Sequence, residues 1–457
     1  MLRLIKNRSS TLLPPLCLLC TAALSTLATL ADDLQGVDAL LEPGRAPHQL
    51  NLKLRNLYFN KRRDSSSKDS SLINQWGQAA EINYANKQLA SFLEVGASAY
   101  AALKLYGPDD NRSSDIFEQQ ADGSLADGYA KIGQLYGKLK FNEHNYLSLG
   151  AQVLDYNLLE SSASRATPST FLHRAVHLGK GGWSGHYLYT DRWSPRYANN
   201  YEKFTNNAGD TISNIQIAGI SYANDQLYFI GEVGRADAYL ERQSINTGYR
   251  FKVNSKTKLN VNLRYHAAQD AGALYDSTFG GRRAGTGLDG RKVSLLAEYE
   301  GEKFHIGTML ARNGKDGFDG YWYSKDHGTL RDWSQRQVSE FVAADERIFH
   351  IQTRYDMNDT LPGFQWALTY TRGTGARASK DYESNPDNDA VEGSEWEVNL
   401  VLEYDFVHQG VKGLTFRYIG AYYQNTIDTV DIWNNSIARS NDDDSDNRFY
   451  LDYTIAF

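Results

Sequence analysis

The stretch that decides the fold is Arg448–Phe457, RFYLDYTIAF. Phe449, Leu451, Tyr453, Ile455 and Phe457 alternate with Tyr450, Asp452, Thr454 and Ala456. Strict alternation places one set on each face of a β-strand. About ten residues is the length a tilted strand needs to cross a bilayer. The pattern suits either the closing strand of a transmembrane barrel or the last strand of a soluble sandwich, and the rest of the chain separates the two.

The chain has 457 residues and a mean hydropathy of −0.54. Beyond the N-terminal segment, no run of about 20 apolar residues occurs, which excludes a helical membrane bundle. A barrel is compatible, because each strand needs only one apolar face. The 30 Tyr, 18 Phe and 8 Trp suit interfacial girdles.

Residues 1–31 have the form of a secretory signal. Arg3, Lys6 and Arg8 precede a mostly apolar run from Leu12 to Leu30, and Thr29 and Ala31 are small enough for cleavage before Asp32. Residues 32–47 then form a short periplasmic leader and 48–457 the barrel domain. Both cysteines, Cys17 and Cys20, fall inside the signal, so the mature chain has no disulfide or thiolate metal site. Loss of the three basic residues takes the net charge from −7 to −10, because 1–31 holds no acid. An acidic secreted chain argues against nucleic acid as a partner.

Alternation predicts eighteen strands: 48–60, 74–86, 90–105, 128–142, 145–156, 170–180, 182–193, 212–224, 226–236, 239–254, 257–268, 290–301, 303–312, 346–357, 363–374, 393–408, 412–425 and 447–457. Tight turns rich in Gly, Asn and Asp, such as Asn142–Asn145 and Asn254–Thr257, alternate with long polar connections. The long ones are 61–73, 106–127, 155–169, 192–211, 268–289, 313–345, 375–392 and 426–446. A sandwich has no reason to sort its loops this way. The fold expected is all-β: an antiparallel up-and-down transmembrane β-barrel of about 18 strands, with short periplasmic turns and long extracellular loops.

The cleanest strands assign the faces. Trp396, Val398, Leu400, Leu402, Tyr404 and Phe406 point out, while Glu395, Glu397, Asn399, Glu403 and Asp405 point in. Arg264 and His266 face in from 257–268, His350 and Arg354 from 346–357, Arg250 from 239–254, and Arg417 from 412–425. So polar an inner face cannot be a dry core, since unpaired buried charge is too costly. It can line water, and 16–18 strands leave an aqueous channel.

These residues resemble the OprD-type outer-membrane porins of Gram-negative bacteria. The likeness rests on LNLKLRNLYFNKRRD at 50–64, SRATPSTF at 164–171 and DRWSPR at 191–196. It rests most on QTRYDMN, LPGFQWALTY, EWEVNLVLEYDF, KGLTFRYIGAYY and NRFYLDYTIAF in the last third. The resemblance implies a constriction formed by inward loops and a ladder of Arg and Lys guiding carboxylate-bearing solutes. Arg165 matches the third-loop arginine, and Arg354 and Arg417 match basic positions on late strands. It also implies that Phe457 ends a signal for the barrel-assembly machinery. Some relatives pass sugars, for which Tyr423 and Tyr450 would offer stacking. The acidic inner positions and Arg372, at the loop rim or outside, depart from the pattern.

The solute-guiding set expected is therefore Lys53, Arg55, Arg165, Arg250, Arg264, Arg354 and Arg417 against Glu298, Glu395, Glu397, Glu403, Asp405 and Asp452. Fixed charges around a narrow pore set selectivity. The same groups, paired across strands, would simply hold the wall together. The acidic run Asn441–Asp446 reads as a solvated loop tip, with divalent cations bridging lipopolysaccharide as its other reading; it lacks EF-hand spacing. No catalytic triad, metal motif or P-loop is present, so no enzyme and no cofactor is expected. The partners expected are small hydrophilic solutes and outer-membrane lipids including lipopolysaccharide, with monomer and homotrimer both open. The competing readings are an outer-membrane barrel enzyme of phospholipase or protease type, and a soluble secreted carbohydrate-binding β protein.

Overall fold

A computed structural model describes residues 48–65, 68–108, 114–206, 208–276, 288–318, 321–324, 332–377, 393–425, 429–431, 436–439 and 443–457. The expected signal and leader, 1–47, lie outside these residues. The barrel strands are β1 (His48–Ser65), β2 (Lys68–Ala90), β3 (Leu93–Tyr106), β4 (Gly128–Lys140), β5 (Tyr146–Gln152), β6 (Thr170–Lys180), β7 (Trp183–Ser194), β8 (Ile215–Ala223) and β9 (Leu227–Ala236). They continue as β10 (Leu240–Lys252), β11 (Lys258–Asp270), β12 (Asp289–Glu300), β13 (Phe304–Asn313), β14 (Arg347–Asp356), β15 (Phe364–Ala376), β16 (Gly393–Asp405), β17 (Leu414–Asn425) and β18 (Asp443–Ala456).

Each strand pairs antiparallel with its sequence neighbours, and β18 returns to β1, with Leu54 opposite Tyr453 and Asn51 opposite Ala456. Eighteen strands thus close without an edge, so every ladder group is satisfied inside the bilayer. The closing alternation behaves as its sequence demands. Phe449 and Leu451 face outward and stay exposed, whereas Tyr450 faces inward and is buried.

Aromatic rings gather on the outside at two levels, as interfacial girdles do. One contains two runs of ring contacts, Tyr370–Trp396–Tyr422 and Tyr418–Phe449–Tyr58. The other, toward the short turns, contains Tyr355 with Trp366, Tyr404 with Phe406, and Trp183 with Tyr222. The turns themselves are tight. Gly363 and Gly413 adopt positive φ, and a Cβ at either would collide with the carbonyl of Asp405 or Thr454 on the neighbouring strand.

Several expected boundaries move. Residues 61–73 are not a long loop: β1 and β2 pair up to Ser65 and Lys68. The short outer connection expected between 226–236 and 239–254 is present, with three residues between β9 and β10. Phe406 leaves the strand for a 3-10 turn, Phe406–Gln409, whose N-terminus Asp405 caps through Val407 N at 2.9 Å. The acidic run is not a solvated tip where it is described. Asp443–Asp446 open β18, and Asp444 and Asp446 are buried. Arg448 satisfies Asp446 with two bonds of 2.9 and 2.7 Å, which removes the need for solvent or a cation.

Candidate functional site

Three long connections fold into the lumen, and each is held in the same way. A single inner-wall side chain accepts consecutive backbone N–H groups, which an infolded loop would otherwise leave unsatisfied. Gln75 on β2 accepts Ile116 N at 2.9 Å and Phe117 N at 3.2 Å from loop 107–127. Glu232 on β9 accepts Asn157 N at 3.0 Å and Leu158 N at 2.7 Å from loop 153–169. Glu397 on β16 accepts Gln337 N, Val338 N and Ser339 N at 2.9, 3.1 and 2.8 Å from loop 314–346.

Loop 153–169 crosses the lumen. One end reaches the seam between β18 and β1, where Arg55 donates to the carbonyls of Ala163 and Arg165 at 3.1 and 2.7 Å and Tyr450 donates to that of Ser164 at 2.9 Å. The other end reaches β9 and β10, where Asn157 also donates to Ser244 at 2.5 Å. In a ring of eighteen strands, those two places face each other across the diameter. Loop 314–346 then locks onto this bar, with Trp322 Nε1 donating to Leu158 O at 2.6 Å. Asp332 pairs with Lys292 of β12 at 2.6 Å, both side chains fully buried. Desolvation raises the Asp332 carboxyl, but Lys292 and His266 outweigh it and hold Asp332 below the usual carboxylate range.

Beneath the loops lie two adjoining cavities of about 610 and 410 Å³ that share Asp332 and Trp333. The larger is lined by Arg250, Asn260, Asn262, Glu298, Gln352 and His350 among others. Its wall is a chain of hydrogen bonds: Tyr228 to Asn262 (2.9 Å), Asn262 to Glu298 (3.2 Å) and Gln352 to Glu298 (3.3 Å). The smaller is lined by Tyr156, His177, His186, Asn246 and Arg264. The Arg264 guanidinium stacks over Trp333 at 4.2 Å, at the junction.

The sequence-expected charges divide by this geometry. Arg250, Arg264 and Glu298 line the cavities, and Arg354 is exposed on β14. Arg417 and Glu403 are cross-strand partners, with Arg417 over the Tyr450 ring at 4.8 Å and Glu403 accepting from Gln365 at 2.7 Å. Lys53 pairs with Glu81 at 3.7 Å. Arg55 is buried and bidentate to Asp452 at 2.8 and 2.7 Å. Arg165 does lie on the inward third loop. It is buried, however, ion-paired to Asp115 at 2.8 Å and stacked on Phe59 at 4.3 Å. Burial lowers its pKa first, and nearby Arg448 lowers it further. Glu397 is fully buried under the loop it holds. Glu395 accepts from Ser339 at 2.7 Å and Tyr423 at 2.8 Å. Tyr450 is only 2 % exposed between Arg55 and Arg417, so it offers no stacking face.

Sequence reasoning did not single out Gln75, Glu232, Lys292, Trp322, Asp332 or Trp333. Their partners stand far away along the chain: Glu232 meets loop residues about 75 positions before it.

A closed barrel of eighteen strands, with a polar lumen narrowed by infolded loops, is a porin. The family model for outer membrane porins of the OprD family matches residues 46–457, and the chain belongs to that family. Among solved structures, it is similar to Acinetobacter baumannii OccAB3, at 20% identity over 90% of this chain and 100% of that one, with a TM-score of 0.75. Pseudomonas aeruginosa OccK9 (OpdG) is similar at 20% identity, 90% and 98% coverage and a TM-score of 0.74. Pseudomonas aeruginosa OpdK, solved with vanillate, is similar at 20% identity, 90% and 99% coverage and a TM-score of 0.73. No curated protein matches the chain. The protein is an outer-membrane porin, an integral β-barrel of the Gram-negative outer membrane that passes small solutes.

Proposed function

We propose that the preferred solute is small and bears a carboxylate, either zwitterionic, as an amino acid is, or aromatic, and that it crosses without chemical change. The observation that carries this is the larger cavity, where Arg250 on β10 and Glu298 and Glu300 on β12 flank Asn260 on one wall, among amides and beside Trp333. Opposite fixed charges side by side on the wall of a narrow aqueous space create a local field that orients a dipolar solute. Amides supply exchangeable hydrogen bonds, so the solute binds weakly enough to leave. The smaller cavity adds a stacked cation and ring, Arg264 on Trp333, which suits a planar carboxylate. The similar OpdK, whose structure holds vanillate, is consistent with the aromatic form of this reading.

Arg250, Arg264, Arg354 and Arg417 act here as the guiding cations, with Glu298 and Glu403 as the carboxylates beside them. Arg55, Asp452, Arg165 and Glu397 position the loops that shape the path. Residues 1–31 are a cleaved export signal in this reading, and Phe457 ends the assembly signal.

The test is single-channel conductance in planar bilayers, with amino acids, aromatic carboxylates and neutral oligosaccharides added in turn. Block by either carboxylate class supports the proposal, and Arg250→Gln should weaken it severalfold. Block by oligosaccharides alone would overturn it.

A further inference from the structure

The outer wall carries a cationic patch that solute passage does not use. Arg291 (β12), Arg312 (β13), Arg347 (β14) and Arg372 (β15) stand on four consecutive strands. All four belong to the outward alternation. Their inward neighbours Lys292, Asn313, Ile348 and Thr371 are buried, while the arginines themselves are exposed. All four sit toward the long-loop ends of their strands, so they share the level of the outer leaflet's headgroups. Below them on the same face lie Val293, Leu310, Phe349 and, beyond Tyr370, Leu368, all four exposed and apolar, as a lipid-facing band requires.

The register packs this charge closely. Arg312 and Arg347 are direct cross-strand partners. Arg372 faces Phe349, two residues from Arg347 along β14. Val293 faces Arg312, which puts Arg291 two residues away on β12. Like charges directly opposed on a sheet are destabilising, and little on the protein offsets them. Asp289 pairs with Arg291 at 2.9 Å, and Asp345 lies 3.9 Å from Arg312. Among the described residues, Arg347 and Arg372 have no carboxylate partner.

We propose that this patch binds the phosphate groups of a glycolipid in the outer leaflet, with its acyl chains against the apolar band. Guanidinium groups are suited to the ligand because they engage phosphate oxygens in pairs. The geometry supplies both halves of such a ligand's chemistry, anion above and hydrocarbon below, on one continuous face. A free anion would use only the upper half.

The experiment uses folded full-length protein in nonionic detergent, titrated with bisphosphorylated lipid A, dephosphorylated lipid A and inorganic phosphate, with bound lipid read by native mass spectrometry. Each basic residue near an anionic surface is worth about 1 kcal/mol, or roughly fivefold in affinity. Arg347→Gln should therefore weaken bisphosphorylated lipid A about fivefold, and Arg347→Gln with Arg372→Gln about 25-fold. Arg235→Gln, an exposed rim arginine on β9 paired with Glu241, should leave it unchanged. Pore conductance and heat-shifted gel mobility report whether each variant is folded. Equal binding of the double variant and the wild type overturns the proposal. So does equal binding of phosphorylated and dephosphorylated lipid A to the wild type, a comparison that needs no variant. Displacement of the lipid by equimolar inorganic phosphate would show a free-anion site instead.

Discussion

Glu397→Gln separates two roles that a charged inner-wall residue can play. The carboxylate accepts Gln337 N, Val338 N, Ser339 N and the Asn399 amide, the last at 2.6 Å. Bonds to a charged acceptor contribute about 1.5–3 kcal/mol each, and neutral ones about 0.5–1.5. Glutamine keeps one acceptor oxygen and turns its amide toward Ser339 N. Three bonds then weaken by about 1 kcal/mol and one is lost, while the lower cost of burying a neutral group offsets part of this. The net is about 2–3 kcal/mol, or roughly a 30- to 150-fold rise in the population with loop 314–346 released. Single-channel recordings should show frequent steps between two conductance levels, with the reversal potential in a salt gradient nearly unchanged. A shifted reversal potential with quiet channels would refute the reasoning, because it would mean that Glu397 acts on ions directly.

The other outcomes follow the same geometry. Arg165→Ala removes the 2.8 Å ion pair to buried Asp115 and leaves Arg196 at 3.7 Å, so loops 107–127 and 153–169 should loosen together. Altered unit conductance with added noise is expected, and Arg165→Lys should restore part of it; unchanged conductance would refute the placement. Glu346, at the base of loop 314–346, has its pKa raised first by burial and then by Glu395. A raised carboxyl favours the fold at low pH, so its contribution is full below its ordinary value near 4.3 and is lost as pH rises through the raised one. Flicker should therefore increase with pH in the wild type, and Glu346→Gln should flatten that dependence.

The barrel was legible because its code is local. Alternation along Arg448–Phe457 or Leu259–His266 needs no distant partner to be read, and all eighteen strands follow from it. The turns added Gly where φ is positive, as at Gly363 and Gly413, and Asn where a side chain accepts the turn's own N–H groups, as Asn142 and Asn224 do. Inner faces were legible for the same reason, so Arg250, Arg264 and Glu298 were found in the lumen. What each inner charge does was not legible. Glu397 and Glu298 share an inward parity, yet one is covered by a loop and the other lines a cavity. That difference is set by contacts such as Glu397 to residues about 60 positions away, which leave no pattern in either segment. Arg165 was placed on the correct loop, but its partner Asp115 comes from a different one. The acidic run misled because strand β18 starts earlier than its apolar alternation does.

The bar across the lumen also dictates an order of events. Its docking place at one end is made from Arg55 on the first strand and Tyr450 on the last. Those two side chains stand side by side only after β18 has zipped to β1. The seam end of the crossing segment cannot seat while the sheet is still open, so in a newly inserted chain the barrel closes first and the bar spans the lumen only afterwards. Selectivity is acquired last, and the joint between the two ends of the chain is what admits it.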